Sequence, residues 1–158
     1  MSSDWSSDVC SSDLMSNDRI HISAGSPVYE TIPAGTVEQP DYLNAAVKVE
    51  TDLPPYDLLD ICKGIESAMG RTDDVRWGAR LIDIDVVLFH DAELNSSRLT
   101  IPHPELTRRD FVLVPVCDIT PDIVHPVTGE PLVRYLETLD KRFIISTFGK
   151  NVLELRRD

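Results

Sequence analysis

The chain has 158 residues, 42% of them apolar and 27% charged, which suits a single soluble globular domain with a sizeable core. Its 27 acidic against 15 basic residues leave a net charge of −12, so the basic face of a nucleic-acid binder is not expected. No apolar run reaches the length of a membrane span. The 3 cysteines, Cys10, Cys62 and Cys117, are widely spaced and form neither a metal motif nor a disulfide framework. A reducing cytoplasm is the setting they fit.

Residues 1–14 repeat Ser-Ser-Asp at 2–4, 6–8 and 11–13, with neither a helical nor a strand period. A basic start and a long apolar middle, the marks of a signal peptide, are missing. The stretch reads as translated linker or adapter DNA ahead of Met15, with a native disordered tail as the alternative. Residues 1–18 are therefore set aside as a leader, and 19–158 are expected to form one domain. Asp4, Asp8, Asp13 and Asp18 carry four of the negative charges, so the folded part is less acidic than the whole.

Arg19 to Ile32 suits an extended segment. Turns follow at Pro33-Ala34-Gly35 and Gln39-Pro40-Asp41. Tyr42 to Thr51 is expected as one strand, with Leu43, Ala45, Val47 and Val49 on one face. Its other face opens with Tyr42 and Asn44, which fit an edge strand with an exposed amide as readily as a binding strand. Pro54-Pro55 opens a helix whose apolar stripe is Leu58, Cys62, Ile65 and Met69, ended by Gly70. Glu66 falls on its polar face. A short polar loop, Arg71 to Val75, leads to Trp77.

Arg76 to Phe89 organises the chain. As a strand it places Ile82, Ile84, Val86 and Leu88 on an apolar face and Asp83 and Asp85 on the other. Two carboxylates that close repel, and partial burial makes this worse. A cation relieves the repulsion. Mg²⁺ fits, since it takes oxygen ligands and is often held by one or two carboxylates plus substrate phosphates. Arg76 and Arg80 stand upstream, suited to phosphate. A bare Asp-x-Asp pair more often ends a strand, but this one lies inside an apolar run.

Beyond it, His90 to Asn95 reads as a turn and Leu94 to Ile101 as a short hairpin. His103 is held between Pro102 and Pro104. Phe111 to Cys117 has strand propensity. Pro131 to Leu139 is expected as a last helix, and 143–158 carries no readable motif.

The run Arg76-Trp77-Gly78-Ala79-Arg80-Leu81-Ile82-Asp83-Ile84-Asp85 resembles the signature of the 6-hydroxymethyl-7,8-dihydropterin pyrophosphokinases of folate biosynthesis. Ala79 stands where that family usually has Pro. Gln39-Pro40-Asp41-Tyr42-Leu43-Asn44 is a second matching motif, and the resemblance extends from about Tyr29 to about Leu139. It implies an α+β, ferredoxin-like fold, a mostly antiparallel sheet with helices packed on it, and a helix rather than a strand at Phe111.

The resemblance implies transfer of pyrophosphate from ATP to 6-hydroxymethyl-7,8-dihydropterin, releasing AMP, by a cytoplasmic monomer with no nucleic-acid or membrane partner. Asp83 and Asp85 would hold two Mg²⁺ ions. Arg71 and Arg80 would join them as catalytic residues. Glu66, Arg71, Trp77, Arg80, His103 and Arg109 would bind ATP. Tyr42, Asn44, Trp77 and Phe111 would bind the pterin, and the Trp77 loop would act as a lid.

The strand, Gly-Ser-Asn loop and long helix with which that family begins have no counterpart here. The expectation is an N-terminally truncated domain and a poor or inactive catalyst. The alternatives are a non-catalytic fragment and a palm-type two-metal nucleotidyl transferase or cyclase.

Overall fold

The computed structural model describes residues 17–32, 42–68 and 83–153. The leader through 16, the turns at 33–41, the helix end at Met69-Gly70 and the whole run from Arg71 to Ile82 lie outside the described residues. The strands are β1 (Ile20–Gly25), β2 (Pro27–Thr31), β3 (Tyr42–Asn44), β4 (Val47–Thr51), β5 (Leu94–Asn95), β6 (Thr100–Ile101) and β7 (Ile144–Asn151). Among the described residues the α-helices are α1 (Pro55–Ala68) and α2 (Asp110–Ile119), and a 3₁₀ helix covers Leu132–Thr138. Every strand pair among the described residues is antiparallel: β1 with β4, β3–β2–β7 in that order, and β5 with β6. The architecture is α+β.

The Tyr42–Thr51 segment is two strands, not one. β3 pairs with β2 and β4 pairs with β1, in separate sheets. Both sides of this long hairpin break at the same level. Ser26 donates its N–H to Ala46 O at 2.9 Å, and its hydroxyl accepts the Ala46 N–H at 2.9 Å. A hydroxyl that bonds the backbone replaces a rung of the ladder and lets both chains turn. Gly25 allows the bend to close, since a Cβ there would meet Asn151 Oδ1 and the Val152 and Leu153 side chains at 2.8 Å each.

The hairpin expected over Leu94–Ile101 is present as β5 and β6, and the extended reading of Arg19–Ile32 resolves into β1 and β2. α2 forms where propensity reads strand. Leu113, Pro115 and Cys117 are buried in it, and packing against β2, β3 and β4 outweighs the β-branched composition. The last helix, expected from Pro131, is a 3₁₀ turn beginning at Leu132. Residues 144–151, unreadable from the sequence, are the edge strand β7.

Asp83 to Phe89 is not a strand. Its carbonyl at Val87 accepts the His103 N–H at 2.9 Å, while its Ile84 N–H goes to a side chain, so no ladder runs along it. The segment lies between two cores. Val86 and Ile84 join β1, α1 and Leu99, whereas Val87 and Leu88 join Leu106, Leu113 and Leu132. The expected alternation holds through Val86 and then fails. With an apolar neighbour on each side, the side chains divide between two cores rather than between core and water.

Candidate active site

The sequence put Glu66 on the polar face of α1, and the structure corrects this. Glu66 is 1% exposed, lying one turn beyond the buried Cys62 on the core side of the helix. Its Oε1 accepts the Ile84 N–H at 2.8 Å, and Lys63 Nζ approaches it at 3.3 Å. The carboxylate thus fixes the backbone between Asp83 and Asp85. A buried charge persists when it is paired and hydrogen-bonded in this way.

Asp83 and Asp85 are both exposed, two residues apart on the chain Glu66 holds. His103 Nε2 lies 3.9 Å from Asp85 Oδ2. The other ring nitrogen, Nδ1, accepts the Glu105 N–H at 3.1 Å, so in the neutral ring the proton sits on Nε2 and faces Asp85. Among the described residues no group of three or more His, Cys, Asp or Glu closes into a metal cage. Two exposed carboxylates with an oxygen-only donor set fit Mg²⁺, which keeps waters and takes substrate phosphates as further ligands.

Glu105 also holds Arg109. Arg109 Nε donates to Glu105 Oε2 at 3.0 Å, and its guanidinium lies 5.2 Å from the centre of the Phe143 ring. One glutamate therefore orients both the imidazole and the guanidinium. It was missed in the sequence, where the only signal is its position four residues before Arg109.

Phe111 is the second residue of α2 and meets Phe143 edge to face, with centroids 5.8 Å apart and planes at 79°. α2 lies against β3, the strand that carries Tyr42 and Asn44. Asn44 Nδ2 donates to Thr31 Oγ1 at 2.8 Å, and Thr31 is buried opposite Tyr42 in the register. Thr31 thereby sets the Asn44 amide, a role its place in an apolar run did not announce. The structure thus brings Asp83, Asp85, His103 and Glu66 to one segment, Arg109 and Phe111 to the start of α2, and Tyr42 and Asn44 to the neighbouring strand. Arg71, Trp77 and Arg80 lie outside the described residues.

A family profile described as 7,8-dihydro-6-hydroxymethylpterin-pyrophosphokinase matches residues 8–121, starting inside the stretch read above as a leader. The chain is 44% identical over 121 residues to the 2-amino-4-hydroxy-6-hydroxymethyldihydropteridine pyrophosphokinase of Methylorubrum extorquens, covering 77% of this chain and 75% of that protein. The protein of the same name from Haemophilus influenzae is 42% identical over 106 residues, 67% of this chain and 66% of that one. The folic acid synthesis protein fol1 of Schizosaccharomyces pombe is 44% identical over 119 residues, 75% of this chain but only 16% of that protein.

An α+β domain with paired carboxylates, matched along most of its length to pyrophosphokinases, is a domain of the pyrophosphokinase class. The chain belongs to the 7,8-dihydro-6-hydroxymethylpterin-pyrophosphokinase family. The palm-type alternative loses its ground with this match.

Proposed function

We propose that this chain transfers the pyrophosphoryl group of ATP to the hydroxymethyl oxygen of 6-hydroxymethyl-7,8-dihydropterin in folate synthesis, within a single ferredoxin-like domain over residues 19–158. The observation that carries the reading is the exposed Asp83–Asp85 pair, pinned by Glu66 and faced by His103. The names of the matched relatives supply the substrate class.

The substrate hydroxyl attacks the β-phosphorus of ATP. The bond from that phosphorus to the oxygen bridging the α-phosphate breaks, AMP leaves, and the hydroxyl proton passes to solvent. Asp83 and Asp85 would hold two Mg²⁺ ions, which when bound neutralise the triphosphate and orient the hydroxyl. His103 offers its Nε2–H and Arg109 its guanidinium to phosphate oxygens, with Arg71 and Arg80 assigned to the same charge. Tyr42, Asn44, Trp77 and Phe111 take the flat pterin, and Trp77 with its loop excludes water. No covalent protein intermediate is needed, because positioning and electrostatics carry phosphoryl transfer. A reducing cytoplasm suits the buried free thiols of Cys62 and Cys117, and the reading treats the protein as a monomer.

Product identity tests this reading. The chain is incubated with ATP, MgCl₂ and 6-hydroxymethyl-7,8-dihydropterin, and the nucleotides are separated. AMP formed in step with the pterin diphosphate, even at the low rate expected above, is the predicted result. ADP in its place would mean transfer of a single phosphoryl group and would overturn the reading.

A further inference from the structure

Phe143 touches two side chains to which the reading above gives different substrates. Its face lies under the Arg109 guanidinium, 5.2 Å from ring centre to Cζ, and its ring packs at 79° against Phe111. Phe143 itself is 7% exposed, whereas Arg109 and Phe111 are only half-buried. The outer pair can reach ligands and the inner ring cannot. The ring is itself fixed from behind: Asp110 Oδ2 accepts the N–H groups of Phe143 at 2.8 Å and Ile144 at 3.0 Å. Asp110 is 2% exposed and sits between Arg109 and Phe111 in sequence. One carboxylate therefore clips the start of β7 to the start of α2 and places the ring where both neighbours rest on it. Phe143 lies beyond residue 121, where the family match ends.

We propose that Phe143 is a positioning residue shared by the two substrates: held by Asp110, its ring fixes Arg109 for the nucleotide and Phe111 for the pterin. This rests on the assignment of Arg109 and Phe111 under the function proposed above. A lost cation–π or aromatic contact corresponds to a change of about threefold to tenfold in affinity. Both contacts hang on one ring, so both ligands weaken together.

The test compares wild type, Phe143→Leu, Phe143→Tyr and a packing control, Leu113→Val. Calorimetry measures Mg²⁺–ATP and 6-hydroxymethyl-7,8-dihydropterin separately, and the Arg109 Nε–H resonance reports the ring without any ligand. In Phe143→Leu both ligands should weaken by about threefold to tenfold and the Arg109 resonance should lose its ring-current shift. Phe143→Tyr, which keeps the ring, should restore both, and Leu113→Val should lower stability while leaving both affinities alone. Unchanged affinities in Phe143→Leu, loss of one ligand only, or equal losses in Leu113→Val would overturn the shared role. Failure of the wild-type chain to bind either ligand would instead strike the functional reading itself.

Discussion

A carboxylate in a core is costly unless its oxygens are met. Glu66 meets this condition with the Ile84 N–H and the Lys63 ammonium. Glu66→Ala should lower stability by about 1–3 kcal/mol, because it strands a backbone donor. Glu66→Gln should cost less, since an amide oxygen can still accept from Ile84. Urea unfolding of the three chains decides it, and an alanine variant as stable as wild type would mean the Ile84 bond contributes nothing. Close by, burial and then the charge of Glu66 push the Cys62 thiol from 9.0 up to about 11, with Lys63 opposing and Asp85 adding to the rise. A raised folded-state value stabilises the protein below the ordinary thiol range and loses that contribution as pH climbs through about 11. Stability followed from pH 8 upward should therefore fall less steeply in Cys62→Ala than in wild type. Parallel slopes would show that the thiol is not protected.

Between elements, Tyr29 on β2 donates its hydroxyl to Asp118 on α2. This bond ties the sheet that holds Asn44 to the helix that carries Phe111. Burial, followed by the Asp118 carboxylate, holds the phenol well above its usual range. Its contribution is thus complete at neutral pH and lost only above about 10. Tyr29→Phe should cost about 1 kcal/mol at neutral pH, toward the low end because Asp118 is exposed. The difference from wild type should shrink as the medium becomes strongly alkaline. A constant difference across that range would show the hydroxyl bond is not the cause. At this scale the sequence was informative where one element has one apolar face: the Leu58–Cys62 stripe of α1 and the β5–β6 hairpin both appear. It misled where packing overrides pattern. The Tyr42–Thr51 strand is cut by Ser26, which lies 20 positions from Ala46 and gives no local sign of that bond. Asp83–Phe89 alternates like a strand yet lies between two cores, a fact that depends on Leu106, Leu113 and Leu132 arriving on its far side.

Across the molecule, the Asp83–Asp85 pair was legible as two carboxylates inside an apolar run, and His103 and Arg109 were assigned by the family resemblance. The residues that hold them were not legible. Thr31 sets Asn44, Glu105 sets His103 and Arg109, and Phe143 is clipped by Asp110 from 33 positions away. Such supports are contacts rather than motifs, and only the fold displays them. The central claim is that Asp83 and Asp85 form a cation-dependent nucleotide site. Two carboxylates without a cation repel the triphosphate, and with Mg²⁺ they attract it. Titration calorimetry of ATP onto the wild-type chain, Asp83→Ala and Asp85→Ala, each in MgCl₂ and in chelator, measures this directly. The account predicts binding by wild type in Mg²⁺ alone, and its loss in chelator and in both variants while their unfolding midpoints stay near wild type. Equal ATP affinity with Mg²⁺ and with chelator, or undiminished binding by either alanine variant, would contradict it.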